Sequence, residues 1–273
     1  MKENPVPPVI IIGMHRSGTS LLTRLLEKIG VFWGCVKDDS NESICFQLLN
    51  EQMLKLENCK WDDAQRLGSL FTDQSRCRRA ARKVEAVVDD NFFRLYWGQP
   101  SFGQEKGSAY PALAWGFKDP RNTFTLPFWL ERFPKAKVIH VIRNAVDVSV
   151  SLWRRETSRP EGRSHHHYSA RCQDLAGCLS LWGCYVKRGL SYAGSGVDLH
   201  QLIYEDLLAR PEESLLSVAG YLGISETDGI DEVCSMIDRS RSYCNQDDPS
   251  LSDFIRQAKN DPLMIELYPE ECR

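Results

Sequence analysis

The stretch Val9 to Leu26 constrains this 273-residue chain more than any other. Val9, Ile10, Ile11 and Ile12 form an unbroken apolar run, which predicts a strand buried on both faces. Gly13-Met14-His15-Arg16-Ser17-Gly18-Thr19-Ser20 follows, and Leu21, Leu22, Leu25, Leu26 and Ile29 then repeat at helical spacing until Gly30 stops the helix. Strand, glycine-bounded loop and helix together read as a phosphate loop. Its two glycines let successive N–H groups turn inward, and the positive end of the helix adds to the cradle. An anion is expected to sit there, on an α/β fold.

The loop departs from that of the nucleotide triphosphatases, in which a Lys after the second glycine reaches the terminal phosphates and the next hydroxyl holds magnesium. Thr19 takes the Lys position here, and the cation has moved upstream to Arg16. A second departure lies at Ala136 to Ile142, which reads as a central strand of a parallel sheet. It ends in Arg143-Asn144, where a magnesium-dependent enzyme wants an aspartate. The helix after it carries Ser151, so Arg143 and Ser151 can converge on one ligand; the simpler alternative pairs Arg143 with Asp147 and leaves Ser151 exposed. Between the two motifs, Leu113 to Arg121 predicts a short strand that delivers Lys118 and Arg121 at a turn forced by Pro120. Lys118 could equally pair with a carboxylate.

Length allows one domain over residues 1–273, with Met1–Pro8 a flexible start. A net charge of -3 excludes a broad basic field, which argues against nucleic acid as the partner. No stretch has the length and apolarity of a membrane span, and the proline-rich start does not resemble a signal peptide, so a cytoplasmic location is expected. Ten cysteines without a Cys-x-x-Cys pair are read as reduced thiols. The run Arg76, Arg78, Arg79, Arg82 and Lys83 reads as a solvated helical face, and Gln99 to Ala109 as a loop. Residues 157–169, with His165, His166 and His167, read as a lid loop near the acceptor rather than a metal site. Glu42 is expected at the start of the helix carrying Ile44, Phe46, Leu49 and Met53, where its carboxylate could cap N–H groups or act as a base. Further on, a helix over Ala170 to Tyr192 and a strand over Val197 to Tyr204 precede a helix opened by Pro211.

Taken together, Arg16-Ser17-Gly18-Thr19-Ser20, the turn Lys118-Asp119-Pro120-Arg121, Arg143 with Asn144, Asp147, Val148 and Ser151 in register, and Tyr204-Glu205-Asp206-Leu207 resemble, in the same order, the sulfotransferases that use 3′-phosphoadenosine 5′-phosphosulfate (PAPS), above all the bacterial type. The resemblance covers Val9 to Asn50, Trp115 to Leu152 and Leu202 to Ile224. It implies a three-layer α/β fold of the P-loop type, with a central parallel sheet flanked by helices. It also implies metal-free in-line transfer of a sulfuryl group from PAPS to a hydroxyl or amine of an acceptor, most simply a small molecule. By the same resemblance Arg16, Ser17, Gly18, Thr19 and Ser20 hold the 5′-phosphosulfate, Arg143 and Ser151 the 3′-phosphate, and Tyr204 lies near the adenosine. Arg16 and Lys118 would stabilise the charge on the leaving phosphate, and Glu42 would take the acceptor's proton. The chain departs from the family in two ways: Asn41 and Glu42 are adjacent rather than separated, and no Arg-Lys-Gly segment near the C-terminus completes the 3′-phosphate site. A P-loop kinase using ATP and magnesium, and a non-catalytic binder of adenosine 3′,5′-bisphosphate, are the alternatives.

Overall fold

Four parallel strands, in the order β2-β1-β3-β4, form the sheet: β1 (Val9–Gly13), β2 (Gly116–Lys118), β3 (Lys137–Ile142) and β4 (Leu199–Ile203). The structure, a computed structural model, describes residues 6–68, 75, 78, 82, 86, 90–98, 114–158, 169–225 and 229–272. Ile11 pairs with Lys118 on one side and Ile139 on the other, and Ile142 pairs with Ile203. Because all four strands run the same way, the residues that follow them emerge along one edge. That edge collects the phosphate loop, Lys118, Arg143 and Tyr204, as expected for a site outside the carboxyl ends of an open parallel sheet.

The described helices are α1 (Thr19–Lys28), α2 (Ile44–Leu56), α3 (Asp90–Trp97), α4 (Asn122–Arg132), α5 (Ala145–Thr157), α6 (Leu175–Leu190), α7 (Tyr204–Ala209), α8 (Pro211–Leu222), α9 (Ile230–Ser235), α10 (Ser252–Lys259) and α11 (Pro262–Leu267). Alternate strand residues face opposite sides, so each face of the sheet has its own core. Val9, Ile11, Ile139 and Val141 pack with Leu22, Leu25 and Leu26 of α1 and Leu215 and Val218 of α8. Ile10, Ile12, Phe117 and Val138 pack with Phe46 of α2, Phe124 of α4, Leu152 of α5 and Trp182 of α6. This is the helix–sheet–helix layering that the strand and helix patterns imply. No helix among the described residues is long and apolar enough to cross a membrane.

Several boundaries differ from the sequence expectation, each for a local reason. Glu42 is not in the first turn of α2, because the helix begins at Ile44 with Ser43 at its N-cap. Asp38 Oδ1 accepts from the backbone N–H groups of Ser40 and Glu42, which bends the chain into a turn ahead of the helix. Tyr204 is not a strand end: β4 stops at Ile203, and Tyr204 opens α7. The long helix starts at Leu175 rather than Ala170, since Asp174 caps it by accepting from the Gly177 N–H at 2.6 Å. Most of the arginine-rich run at 76–83, the loop at 99–109 and the expected lid from 159 to 168, with its three histidines, lie outside the described residues.

One buried polar cluster fixes α2 and α4 to β1. Asn50 donates to Asp119 at 2.8 Å and Asn122 at 2.7 Å, and its Oδ1 accepts from Thr125 Oγ1 at 2.7 Å and Trp129 Nε1 at 3.0 Å. Asn122 and Thr123 then reach the backbone of Ile11 and Gly13. Replacing Asn50 with Ala leaves the buried Trp129 N–H without its acceptor and takes a donor from both Asp119 and Asn122, so urea denaturation should show a loss of about 2–4 kcal/mol. A loss below about 0.5 kcal/mol would mean that this cluster does not hold the layers together.

Candidate active site at the carboxyl ends of the strands

The phosphate loop is built from backbone conformations that few residues adopt. Arg16 sits in the left-handed region with φ 70°, and Gly18, at the N-cap of α1, has φ 95°. A Cβ on Gly18 would lie 2.2 Å from Cδ2 of the Tyr204 ring, so the tyrosine is packed directly onto the loop. Ser17 is buried and closes the loop by donating its hydroxyl to the Met14 carbonyl at 2.7 Å. Thr19 is buried at the first position of α1.

Lys118 brings three segments together. Its ammonium, on a side chain 1 % exposed, donates to Ser20 Oγ at 3.2 Å, to the Ser40 carbonyl at 2.6 Å and to Glu42 Oε1 at 3.0 Å. The Ser20 hydroxyl in turn donates to the Ser40 carbonyl at 2.7 Å. Arg121 lies on the other side of Glu42, 3.6 Å from Oε2, and is itself bound to Asp119 at 2.9 Å and Glu51 at 3.0 Å. Burial, with Asp119 and Asp38 nearby, pushes the Glu42 carboxyl up to about 7 against the pull of Lys118 and Arg121. Glu42 therefore does not cap α2. It is a buried carboxyl poised near neutrality beside the loop, which is the property a general base needs.

The second cationic arm differs in detail from the expectation. Arg143 does pair with Asp147, at 3.0 Å, and donates to the Arg241 carbonyl at 2.7 Å while its Cζ lies 4.6 Å from the centre of the Tyr204 ring. Its Nε is buried without a hydrogen-bond partner among the described residues. Ser151 is half-buried and accepts from Arg16 Nε at 2.8 Å. Arg143 and Ser151 are thus joined through Arg16, whose carbonyl lies 3.4 Å from Arg143 Nη1. Partial burial and the neighbouring guanidinium groups of Arg155, Arg143 and Arg241 all push Arg16 down. Arg143, Arg155 and Arg241 are each paired with a carboxylate, Asp147, Glu156 and Asp238, whereas Arg16 has only the Ser151 hydroxyl as its side-chain partner among the described residues.

Asp147 is the anchor beneath this arm. Burial works against its charge, yet Arg143 and hydrogen bonds from Asn144 and Asn245 hold it below the usual carboxylate range. Asn144 caps α5 and donates to Glu205 at 2.6 Å, and Glu205 accepts from Tyr268 at 2.9 Å. Asn245 reaches Asp147 through both its backbone N–H and its side chain. Residues 238–246 thereby fold back over the strand end and bring Arg241 to the site. Sequence reasoning missed this segment. Its only signal is the pair Arg239 and Arg241 in a stretch without apolar periodicity, where the family resemblance leads one to look for Arg-Lys-Gly.

Comparison with known proteins is consistent with this geometry. A family model described as "Sulfotransferase family" matches residues 7–228. Among solved structures, the chain is similar to the sulfotransferase domain of the Synechococcus PCC 7002 olefin synthase, at 20% identity over 93% of this chain and 88% of that one, with a TM-score of 0.50. It is similar to a sulfotransferase from Alicyclobacillus acidocaldarius, at 18% identity over 92% of each chain and a TM-score of 0.50. A sulfotransferase from Mycobacterium tuberculosis H37Rv aligns at 14% identity over 85% of this chain and 71% of that one, also at 0.50. At these identities the likeness is one of fold. No curated protein matches the chain.

The contact between Gly18 and Tyr204 yields a direct test of loop packing. Gly18→Ala should cost about 2 kcal/mol or more in urea unfolding, from the left-handed backbone and from the collision with the ring. Adding Tyr204→Ala should recover at least about 1 kcal/mol of that loss in a double-mutant cycle, whereas additive effects would show that the ring does not press on the loop.

Proposed function

Because this chain belongs to the sulfotransferase family, we propose that it transfers a sulfuryl group from PAPS to a hydroxyl or amine of a small-molecule acceptor. The observation that carries the proposal is the junction at Lys118, which ties Ser20 of the phosphate-loop helix to Glu42, a carboxyl at about 7. An anion cradle and a base are thereby held a few ångströms apart by one cation, which is the arrangement that group transfer with proton removal requires.

The residues suit an adenosine 3′,5′-bisphosphate group. The Arg143 Nε, buried without a hydrogen-bond partner among the described residues, and the Arg16 guanidinium, crowded by Arg155 and Arg241, are what a multiply charged anion would satisfy. Arg143, Ser151 and Arg241 would hold the 3′-phosphate, Ser17, Gly18, Thr19 and Ser20 the 5′-phosphosulfate, and Tyr204 would lie against the adenosine. When bound, the donor supplies an activated sulfuryl group whose bond to the phosphate oxygen breaks as one to the acceptor forms. Lys118 and Arg16 would stabilise the charge left on that oxygen, and Glu42 would take the acceptor's proton.

The donor can be tested before any acceptor is known. Calorimetric titration with adenosine 3′,5′-bisphosphate should show micromolar or tighter binding, weakened about tenfold or more in Arg143→Ala and not matched by ADP with magnesium. Preference for ADP with magnesium would replace the reading with that of a P-loop kinase. Tight binding of the bisphosphate with no consumption of PAPS across an acceptor panel would leave a non-catalytic binding protein.

Glu42 gives the reaction its pH dependence. Only the ionised carboxylate can accept a proton, so kcat/KM should rise with pH and level off above about 7. Glu42→Gln should lower kcat by about 100-fold or more and remove that rise while leaving bisphosphate binding intact. A pH profile unchanged in the glutamine variant would assign the base elsewhere.

A further inference from the structure

Gln47 touches the Glu42 carboxylate, and neither donor binding nor charge stabilisation gives it a role. Its backbone is fixed at the start of α2, where its N–H donates to the Ser43 carbonyl at 2.9 Å. The half-buried side-chain amide donates from Nε2 to two carboxylates, Asp38 Oδ2 at 3.1 Å and Glu42 Oε2 at 3.2 Å. An amide nitrogen carries two hydrogens, and here both are committed. The other Asp38 oxygen, Oδ1, accepts from the Glu42 backbone N–H at 2.8 Å. One aspartate thus holds Glu42 twice, by its main chain directly and by its side chain through Gln47.

The Glu42 carboxyl is held from the other side by cations. Lys118 of β2 donates to Oε1 at 3.0 Å, and Arg121, in the turn after β2, lies 3.6 Å from Oε2. Both cations are themselves anchored, Lys118 by Ser20 and the Ser40 carbonyl, Arg121 by Asp119 and Glu51. Turning the carboxyl about its own axis would break the bonds to Lys118 and Gln47 together. Only an amide side chain presents two hydrogens on one nitrogen without a charge. A Lys or Arg in place of Gln47 would add a third cation beside Glu42 and pull its carboxyl away from neutrality.

We propose that Gln47 is a positioning residue for the base, its amide fixing the orientation of the Glu42 carboxylate while Asp38 fixes the amide in turn. The proposal rests on the sulfotransferase reading, in which Glu42 takes the acceptor's proton. A base whose orientation is set by the fold need not be ordered during the reaction. The two residues act on Glu42 in opposite senses. Burial, Asp119 and Asp38 favour the protonated carboxyl, Lys118 and Arg121 favour the carboxylate, and an N–H from Gln47 bonds more strongly to the carboxylate than to the neutral acid.

The test is carbon-13 NMR of the full chain labelled at the glutamate carboxyls, with the Glu42 signal assigned from Glu42→Gln. Wild type should titrate at about 7. Gln47→Met, which keeps the length and removes the donor, should raise the midpoint by about 0.5–1 unit, and Asp38→Asn, which removes a like charge, should lower it. A turn merely loosened by substitution would let water reach Glu42 and lower the midpoint in both variants. A lowered or unchanged midpoint in Gln47→Met would therefore overturn the proposal. The raised midpoint should also appear in the pH profile of PAPS consumption with water as acceptor, where Gln47→Met loses about two- to fivefold in kcat at pH 7 from the shift alone while binding adenosine 3′,5′-bisphosphate within about twofold of wild type. Failure of wild type to bind the bisphosphate would instead remove the donor reading, and the role of Gln47 in catalysis would fall with it.

Discussion

The buried ammonium of Lys118 is the interaction on which the site depends. An ammonium has three hydrogens, and in this fold each meets an oxygen: Ser20 on α1, and the Ser40 carbonyl and Glu42 carboxylate in the turn ahead of α2. A charge 1 % exposed would be costly if any of these were missing, because removing one partner of a buried ion leaves the other uncompensated. The cation thus forces the turn at residues 38–42 down onto the phosphate-loop helix. The same contact keeps a carboxyl out of water, which is why Glu42 is poised near neutrality despite its cationic neighbours. Structural cost and chemical readiness come from one burial.

Lys118 can be so placed because the turn that bears it is rigid. Asp119, fully buried, accepts from the Arg121 backbone and guanidinium and from Asn50, and the next residues of α4 bond to the backbone of β1. Position in the sheet does the rest: β2 lies beside β1 with Lys118 opposite Ile11, so the lysine is delivered next to the loop that follows β1. On the other side of β1, Asp147 organises the arm around Arg143 in a similar way, collecting Asn144, Asn245 and the guanidinium around one carboxylate. Two buried aspartates, each flanking a cation, frame the loop from both sides.

How much of this could be read from sequence depends on how local each feature is. The phosphate loop, the Lys118 turn and the Arg143 strand end are encoded within a few residues, and apolar runs and glycines announce them. The layered α/β architecture was legible for the same reason, since β1, β3 and α1 carry unbroken or periodic apolar patterns. Glu42 was placed in the first turn of α2, whereas it lies just before the N-cap Ser43. The Asp38 side chain, accepting from Ser40 and Glu42, decides where α2 starts, and a single aspartate four residues upstream is a weak signal. Tyr204 was named, but its contact with Gly18 joins positions that only the fold brings together. The same holds for Arg241 and Asn245. Each reaches the site from a stretch with no periodicity, so no pattern along the chain marks it.

The arrangement of the cations attaches the two ends of the site to one loop. Arg16 bonds to Ser151 through its side chain and faces Arg143 through its carbonyl, and it directly follows His15 in the loop. An anion that draws Arg143 or Arg16 acts on a residue held at φ 70°, where the backbone has little freedom to absorb the change except through its neighbours. Those neighbours are His15 on one side and Ser17, closed onto Met14, on the other. Ser17 is pinned, and the His15 ring is packed against Trp61 and Tyr185, so both neighbours hold the loop in place. The Arg143 arm and the Lys118–Glu42 junction are thereby attached to one rigidly held stretch, through Arg16 on one side and Ser20 on the other.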